Sequence, residues 1–511
     1  MITEDQSDVI AFLARLAEER DPAAERIDTH GAHLFLSGDE AWKLKRAVWY
    51  PFMDLSDAAR RHDACAAEVE LNRRTAPDLY LGVGAITREP DGVLAVDGGG
   101  EPVDWFVRMR RFDQAGLLDR LADADALPLE LMPRLAQAVA RFHAAGRPRT
   151  DKGGAGAMRW IVDDNIAELR EMKGLVDAAA VDALATASAG QLARVEALLE
   201  ARRAAGWVRR CHGDLHLGNV VLIGGEPTLF DCIEFSEDIA CVDVLYDLAF
   251  LLMDLWKRGL RAHANLLFNA YLADCDQRDG VATLPLFLSA RAAVRAKVAG
   301  LAAMAAGEAD RAAAAAGIAA DVAAATRFAR PPAPRLVAIG GYSGSGKTTL
   351  AHALAPDLGP APGAVILRSD VERKRMLGVA PTERLPESAY APEVSRRVYR
   401  LLFDHAASCL AQGHAAVVDA VLDRPADRAA VAQVAADLGL PFTGFWLEAP
   451  EKALVTRVRK RKGDASDADA TVIARQLAGD PGEITWTRLD AARSPERVAA
   501  SARAALVETL A

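Results

Sequence analysis

A chain of 511 residues exceeds what one hydrophobic core ordinarily organises, so two or three domains are expected. Hydrophobic residues make up 51% and charged residues 26%, a composition that excludes a disordered or fibrous protein. The formal net charge of −10 speaks against nucleic acid or an anionic membrane as a general partner, and six cysteines without a CxxC pair fit a reducing cytoplasm.

The start, Met-Ile-Thr-Glu-Asp, lacks the basic opening and apolar run of a signal peptide. Val9, Ile10, Phe12, Leu13 and Leu16 instead recur at helical spacing. His33 to Leu36, a Ser37-Gly38-Asp39 turn and Ala41 to Lys45 predict a β-hairpin. Lys43 and Lys45 share one face of its second strand. Either could reach the phosphates of ATP if a glutamate on a helix fixes it, and the helix predicted over 55–73 offers Glu68 and Glu70. Two further strands are predicted over 82–87 and 105–112. The Gly-rich stretch between them, 97–100, has no following helix with a lysine and reads as a turn rather than a phosphate cradle. From 117 to 145 and from 163 to 205, Leu and Ala recur at three- and four-residue steps, which predicts helices.

The stretch from Cys211 to Phe235 organises the first part of the chain. His212-Gly213-Asp214 opens it, Asn219 follows five residues after Asp214, and Asp231 ends an apolar run. A hairpin predicted over 220–223 and 228–230 would bring Asn219 and Asp231 side by side. Phosphoryl transfer needs these parts: one carboxylate for the acceptor hydroxyl, and an amide oxygen with a second carboxylate for Mg²⁺. Next, 242–256 is strongly apolar but interrupted by Asp243, Asp247 and Asp254. It predicts a buried helix with Asp243 and Asp247 on one face, not a membrane span. An Ala-rich helical segment over 302–330 ends at Pro331-Pro332-Ala333-Pro334, the expected boundary between domains 1–330 and 335–511.

Beyond that boundary, 335–350 reads as strand, loop and helix start and satisfies GxxxxGK[ST] from Gly341 to Thr348. Backbone N–H groups from Gly341 through Ser343, Gly344, Ser345, Gly346 and Thr349 would wrap a phosphate. Lys347 would reach the β/γ oxygens, and the Thr348 hydroxyl would ligate Mg²⁺. Further strands are predicted at 365–368, at 415–420 with Asp419 at its tip, and at 442–447. A basic helix end with Arg457 and Arg461 runs into an acidic loop. Two other patterns fail as metal sites. Asp464 to Asp469 lacks the glycine and glutamate of a calcium loop, and His212 and His216 lack the glutamate of a zincin helix.

The loop from His212 to Asn219 resembles the HGDxHxxN loop of the aminoglycoside phosphotransferase-like kinases. It departs from the protein kinases, since no Arg follows His212 and no Phe-Gly follows Asp231. The resemblance implies an α+β, two-lobed, protein-kinase-like domain in which Asp214 is the catalytic base and Asn219 and Asp231 hold Mg²⁺. Lys43 is preferred over Lys45 because Ala41-Trp42-Lys43 looks like the Ala-Ile-Lys of kinase strands. Glu68 is preferred over Glu70 because it begins an ExxLN pattern. The resemblance also implies that Asp247 supports the catalytic loop and that backbone near Met109 to Phe112 meets adenine.

The second half resembles the gluconate kinase, shikimate kinase and chloramphenicol phosphotransferase group, which implies an α/β P-loop domain with a parallel sheet and a mobile basic lid. Asp370 and Arg373 would then face the acceptor, with Asp370 a candidate general base. Asp419 would be a Walker-B-like acid near Mg²⁺, and Arg457 and Arg461 would be lid cations. The two modules in this order resemble a family of bacterial bifunctional phosphotransferase/ATP-binding proteins. Two ATP·Mg²⁺ sites acting on small hydroxylated acceptors (a sugar, sugar acid or aminocyclitol) are expected. One rival is a regulatory protein with a ligand-binding kinase-like module and an ATPase switch; the joint presence of Asp214, Asn219 and Asp231 argues against it. Another is a kinase of nucleotide sugars or nucleic-acid ends. Its nucleic-acid version is disfavoured by the acidic balance and the lack of a basic patch interleaved with aromatics.

Overall fold

The computed structural model describes residues 2–29, 31–50, 53–305, 308–461 and 463–508. Packing groups them into two units, one of residues 1–161 and 196–254, the other of residues 162–195 and 255–511. This division does not fall at the proline run, because residues 255–330 pack with the P-loop segment.

The first unit opens with the helix Ser7–Arg20 and a six-stranded antiparallel sheet. In spatial order its strands are Glu25–Asp28, Ala32–Ser37, Glu40–Lys45, Glu101–Arg110, Tyr80–Arg88 and Leu94–Val96. The predicted hairpin is present, with Leu36 opposite Ala41 and Leu34 opposite Lys43. The edge strand Glu25–Asp28 was invisible in the sequence because every residue in it is exposed. Period-two alternation gives the sheet two apolar faces. Phe35, Trp42, Leu44, Ile86 and Phe106 pack with Val9, Leu13 and Ala17 of the first helix. Leu36, Ala41, Val107 and Met109 instead pack with Cys65 and Val69 of the helix Ala58–Asn72.

The hairpin after the 212–219 loop pairs Val220–Ile223 with Glu226–Leu229, Val220 opposite Leu229. The apolar stretch beyond it differs from its prediction. Cys241–Asp243 is a short strand paired with Val208–Arg210, and the helix is Val244–Lys257. Asp243 and Asp247 therefore do not share a helix face. Asp243 accepts two hydrogen bonds from Arg202, at 2.7 and 2.8 Å, and one from the Leu245 N–H. That side-chain capping ends the strand and starts the helix.

The second unit carries a five-stranded, wholly parallel sheet in the order Val365–Arg368, Ala416–Asp419, Leu336–Gly341, Phe442–Glu448 and Thr487–Asp490. Leu336–Gly341 and Ala416–Asp419 are buried throughout, which explains why they read as continuous apolar runs. Thr487–Asp490, an edge strand with one buried residue, gave no such signal. The opposite edge is covered by the helix Arg261–Cys275. Asn269 Oδ1 accepts from the Ile366 N–H at 2.7 Å, and Asn265 Nδ2 donates to the Pro362 and Ala364 carbonyls. The Ala-rich region forms the helices Leu284–Ala305 and Glu308–Ala329, packed on each other. Among the described residues Glu308–Ala329 is the helix long and apolar enough to cross a membrane by composition, and 39% of that window is buried.

Candidate active sites

Trp42 and Leu44 enter the core beneath the first helix, so Lys43 and Lys45 face the helix Ala58–Asn72 with Ala41. That helix presents Glu68, fully buried, whereas Glu70 is exposed. Glu68 is shared between the two lysines. Oε1 accepts from Lys43 Nζ at 2.8 Å, and Oε2 pairs with Lys45. Lys43 also meets Asp231 at 2.5 Å, whereas Lys45 pairs with Glu234. The Asp231 side chain is 40% exposed and that of Glu234 6%, so Lys43 serves the open side and Lys45 the closed one. Burial opposes the Lys43 ammonium, but Asp231 and Glu68 outweigh it and hold its pKa well above the lysine range. Desolvation likewise opposes the Asp231 carboxylate, and Lys43 reverses it, leaving the pKa below the ordinary value. At Glu234 burial wins over Lys45, and the pKa is raised.

The 212–219 loop is fixed by its backbone. Asp247, at the start of the helix Val244–Lys257, accepts from the N–H groups of His212 (3.1 Å) and Gly213 (2.9 Å) and meets His143 Nε2 at 3.0 Å. Gly213 has φ +85°, and a Cβ there would press on Ile233 at 3.1 Å. His212 Nε2 donates to the Phe230 carbonyl at 2.8 Å, joining the loop to the end of the hairpin. Asn219 Nδ2 donates to the Asp214 carbonyl at 2.9 Å and to its carboxylate at 3.2 Å. The Phe230 N–H donates to the Asn219 carbonyl, so the hairpin register puts Asn219 opposite Phe230, the residue before Asp231. His143, Cys211 and Asp247 have metal-ligand spacing. The Asp247 oxygens already serve the loop N–H groups, so the cluster acts as a brace.

Three residues without a role in the sequence reading hold the Asp231 turn. The Asp231 N–H donates to the Tyr80 hydroxyl at 3.1 Å, the Cys232 N–H to Asn72 Oδ1 at 2.8 Å, and Glu234 pairs with Lys45. Asn72 closes the ExxLN pattern, and that position was its only signal in the sequence.

In the P-loop, Gly341, Gly344 and Gly346 have φ of +134°, +82° and +98°. A Cβ on Gly344 would lie 2.7 Å from the Leu454 carbonyl oxygen. Lys347 Nζ donates to the Gly341 and Tyr342 carbonyls at 2.8 and 3.1 Å, and burial lowers its pKa. Thr348 Oγ1 donates to Asp419 Oδ2 at 2.6 Å, joining the two predicted metal-holding groups. Thr349 follows in the helix Lys347–Leu354. The Ser345 hydroxyl is buried without a partner among the described residues, and the Ser343 N–H is taken by Gln476 Oε1 at 2.9 Å.

Asp370 lies in the first turn of Ser369–Met376, its carboxyl pushed up by burial against the opposing Ser466 hydroxyl. Arg373 is turned inward. It donates to the Ala389 carbonyl (2.8 Å) and Ser395 Oγ (3.3 Å) and stacks on Tyr390. Arg457 is committed to the carbonyls of Gly344, Ser345 and Ala491 and braces the P-loop from outside. Arg461 lies 3.6 Å from Asp464, which also pairs with Arg368 at 3.0 Å. Arg368, at the end of its strand, approaches Asp419 at 3.5 Å, and the sequence reading gave it no role. Asp467 accepts from Tyr390 (2.6 Å), the Leu385 N–H (3.0 Å) and Lys374 (3.2 Å). A crevice of about 430 Å³ runs between these acids and Arg384, Arg459 and Arg461.

Both donor sets suit ATP with a hard cation. Carboxylate, amide and hydroxyl oxygens are the ligands Mg²⁺ takes, and the positive-φ glycines with a lysine at the following helix start form an anion cradle. Residues 91–283 match the model of the phosphotransferase enzyme family, and residues 336–479 match an AAA domain model. An uncharacterized protein of Mycobacterium tuberculosis, Rv2004c, is 31% identical over 487 residues, covering 93% of this chain and 94% of that protein. The chain belongs to its family. The Mycobacterium bovis member, Mb2027c, matches with the same identity and coverage. Among solved structures, a choline/ethanolamine kinase family protein from Mesorhizobium loti is similar over 62% of this chain and 95% of its own, at 15% identity and TM-score 0.39. A gluconokinase from Sinorhizobium meliloti is similar over 35% of this chain and 94% of its own, at 22% identity and TM-score 0.26. This chain joins a phosphotransferase module to a P-loop module, and it is an ATP-dependent kinase.

Proposed function

We propose that the chain carries two phosphotransfer sites, one in a module of residues 1–330 and one in a module of residues 335–511, each moving the γ-phosphate of ATP to a hydroxyl of a small acceptor. The acceptor class is a sugar, sugar acid or aminocyclitol, and the setting is the cytoplasm. The observation that carries this reading is the assembly around Asp214. Its carboxylate is steadied by Asn219, its loop by Asp247, and the Lys43–Asp231 pair lies at the open side.

In the first site Asp214 would take the proton of the acceptor hydroxyl as its oxygen bonds to the γ-phosphorus and ADP leaves. Lys43, oriented by Glu68, would hold the α- and β-phosphates. In the second, Asp370 would accept the proton, aided by the burial that raises its pKa. Lys347 would exchange its loop carbonyls for phosphate oxygens, while Arg461 and Arg368 would supply positive charge. Asn219 with Asp231, and Thr348 with Asp419, would hold Mg²⁺, which when bound neutralises charge on the nucleotide oxygens.

The test is ATP consumption against a panel of sugars, sugar acids and aminoglycosides, comparing wild type with Asp214→Ala and Lys347→Ala. An acceptor whose stimulation disappears with one substitution, by at least a hundredfold in kcat, identifies the site that uses it. If no acceptor stimulates and only Lys347→Ala removes a slow basal hydrolysis, the protein is an ATPase switch and the proposal fails.

A further inference from the structure

We propose that Lys45 is a positioning residue of the kinase-like site. Through Glu234 it locks the turn that carries Asp231, and through Glu68 it limits Lys43 to one carboxylate oxygen. The inference rests on the reading of Asp231 as a metal-holding group and goes beyond it, since Lys45 reaches no substrate. Its side chain is 4% exposed, and its partners Glu68 and Glu234 are 0% and 6% exposed. A lysine so enclosed acts only on its two carboxylates.

Three features give that action a consequence. Asp231 sits at φ +63°, a conformation that a non-glycine residue keeps only when its surroundings impose it. The constraint comes from successive residues of one turn, held by the Tyr80 hydroxyl at Asp231, Asn72 at Cys232, the His212 carbonyl at Ile233 and Lys45 at Glu234. Lys43 at Asp231, Arg210 at the Ile233 carbonyl and Lys45 at Glu234 add charged contacts to that turn, and Lys45 holds the last of its four residues. Asn72 and Glu68 lie one helical turn apart on the same helix, and Asn72 Nδ2 donates to the Glu68 carbonyl at 2.9 Å. The glutamate that orients Lys43 and the amide that holds the Asp231 turn therefore move together, and Lys45 ties both to the strand. Without it, Glu68 would be free to take Lys43 with both oxygens, drawing the ammonium off Asp231, while the turn would lose its far anchor.

The experiment is titration of the full chain, in a Lys347→Ala background that silences the P-loop, with adenylyl imidodiphosphate in the presence and absence of Mg²⁺. Lys45→Met and Glu234→Gln cut the same ion pair from opposite ends, and Lys45→Arg keeps it. Both cutting variants are expected to lose at least tenfold of the Mg²⁺-dependent gain in affinity, with metal-free affinity within twofold of the parent. Lys45→Arg should recover most of the loss. The role is overturned if either cutting variant keeps the Mg²⁺-dependent gain, or if metal-free and Mg²⁺-loaded affinities fall together with Tm, the mark of general destabilisation. Asp231→Asn separates the two readings. If it too leaves the gain unchanged, the metal-holding reading of Asp231 fails and the Lys45 role falls with it. If it abolishes the gain while Lys45→Met does not, only the Lys45 role falls.

Discussion

Gly344 is the residue at which P-loop geometry is least negotiable. Its φ of +82° disfavours any side chain, and a Cβ would lie 2.7 Å from the Leu454 carbonyl and 3.0 Å from a Val458 methyl. Gly344→Ala should therefore push the loop away from the helix Glu451–Lys460 and break the Arg457 brace. We expect nucleotide affinity at the P-loop to fall at least tenfold, read by titration in an Asp231→Asn background. Residues of this kind were legible beforehand because a glycine at a fixed offset from a lysine has few other uses. Arg373 and Arg457 show the limit. The resemblance implied Arg373 as a group facing the acceptor and Arg457 as a lid cation, and in the structure both guanidinium groups meet carbonyls supplied from other segments.

At the level of elements, the helix Ser369–Met376 that carries Asp370 is held from behind by Arg278. Its guanidinium meets Glu372 at 2.6 Å with both side chains under a tenth exposed, and His405 lies 3.3 Å from the same carboxylate. Burial opposes the charge on Glu372, but His405 and Arg278 outweigh it and draw the pKa down to about 2. Arg278→Met leaves that carboxylate buried without its shortest ion pair and should cost about 3–5 kcal/mol in denaturant unfolding. Adding Glu372→Gln should restore most of the loss. No local pattern announces this contact, because Arg278 and Glu372 lie 94 positions apart.

For the molecule as a whole, residues 255–330 pack with the P-loop segment, and His414 records that packing. Its Nε2 donates to the Gly363 carbonyl at 2.9 Å, its ring meets Phe268 edge-on, and burial lowers its pKa to about 4 from 6.5. The folded chain binds fewer protons there than the unfolded chain between those values. The contribution is thus complete above about pH 6.5 and is lost as pH falls toward 4. Denaturation at pH 7 and pH 5 should differ by about 2 kcal/mol from this group, and His414→Phe should flatten the difference. Glu372 titrates below this range, its contribution being present above pH 4.5 and lost toward 2.

The sequence alone determined the two motifs and their order: His212 to Asn219 with Asp231, and the loop from Gly341 to Thr348, with Lys43 and Lys45 both left as partners for Glu68. Such features are local. A turn needing positive φ, a hydroxyl after a lysine and a strand of period two write themselves into consecutive residues. Tertiary structure separates Lys43 from Lys45, because strand alternation places both on one face and distant carboxylates put Lys43 beside the more exposed Asp231 and Lys45 beside the enclosed Glu234. It also decided the roles of Asn72, Tyr80, Glu234 and Arg368. Their charges and hydroxyls are ordinary in the chain and acquire meaning from partners up to 189 positions away, in a low-dielectric interior where an unmatched polar group is costly.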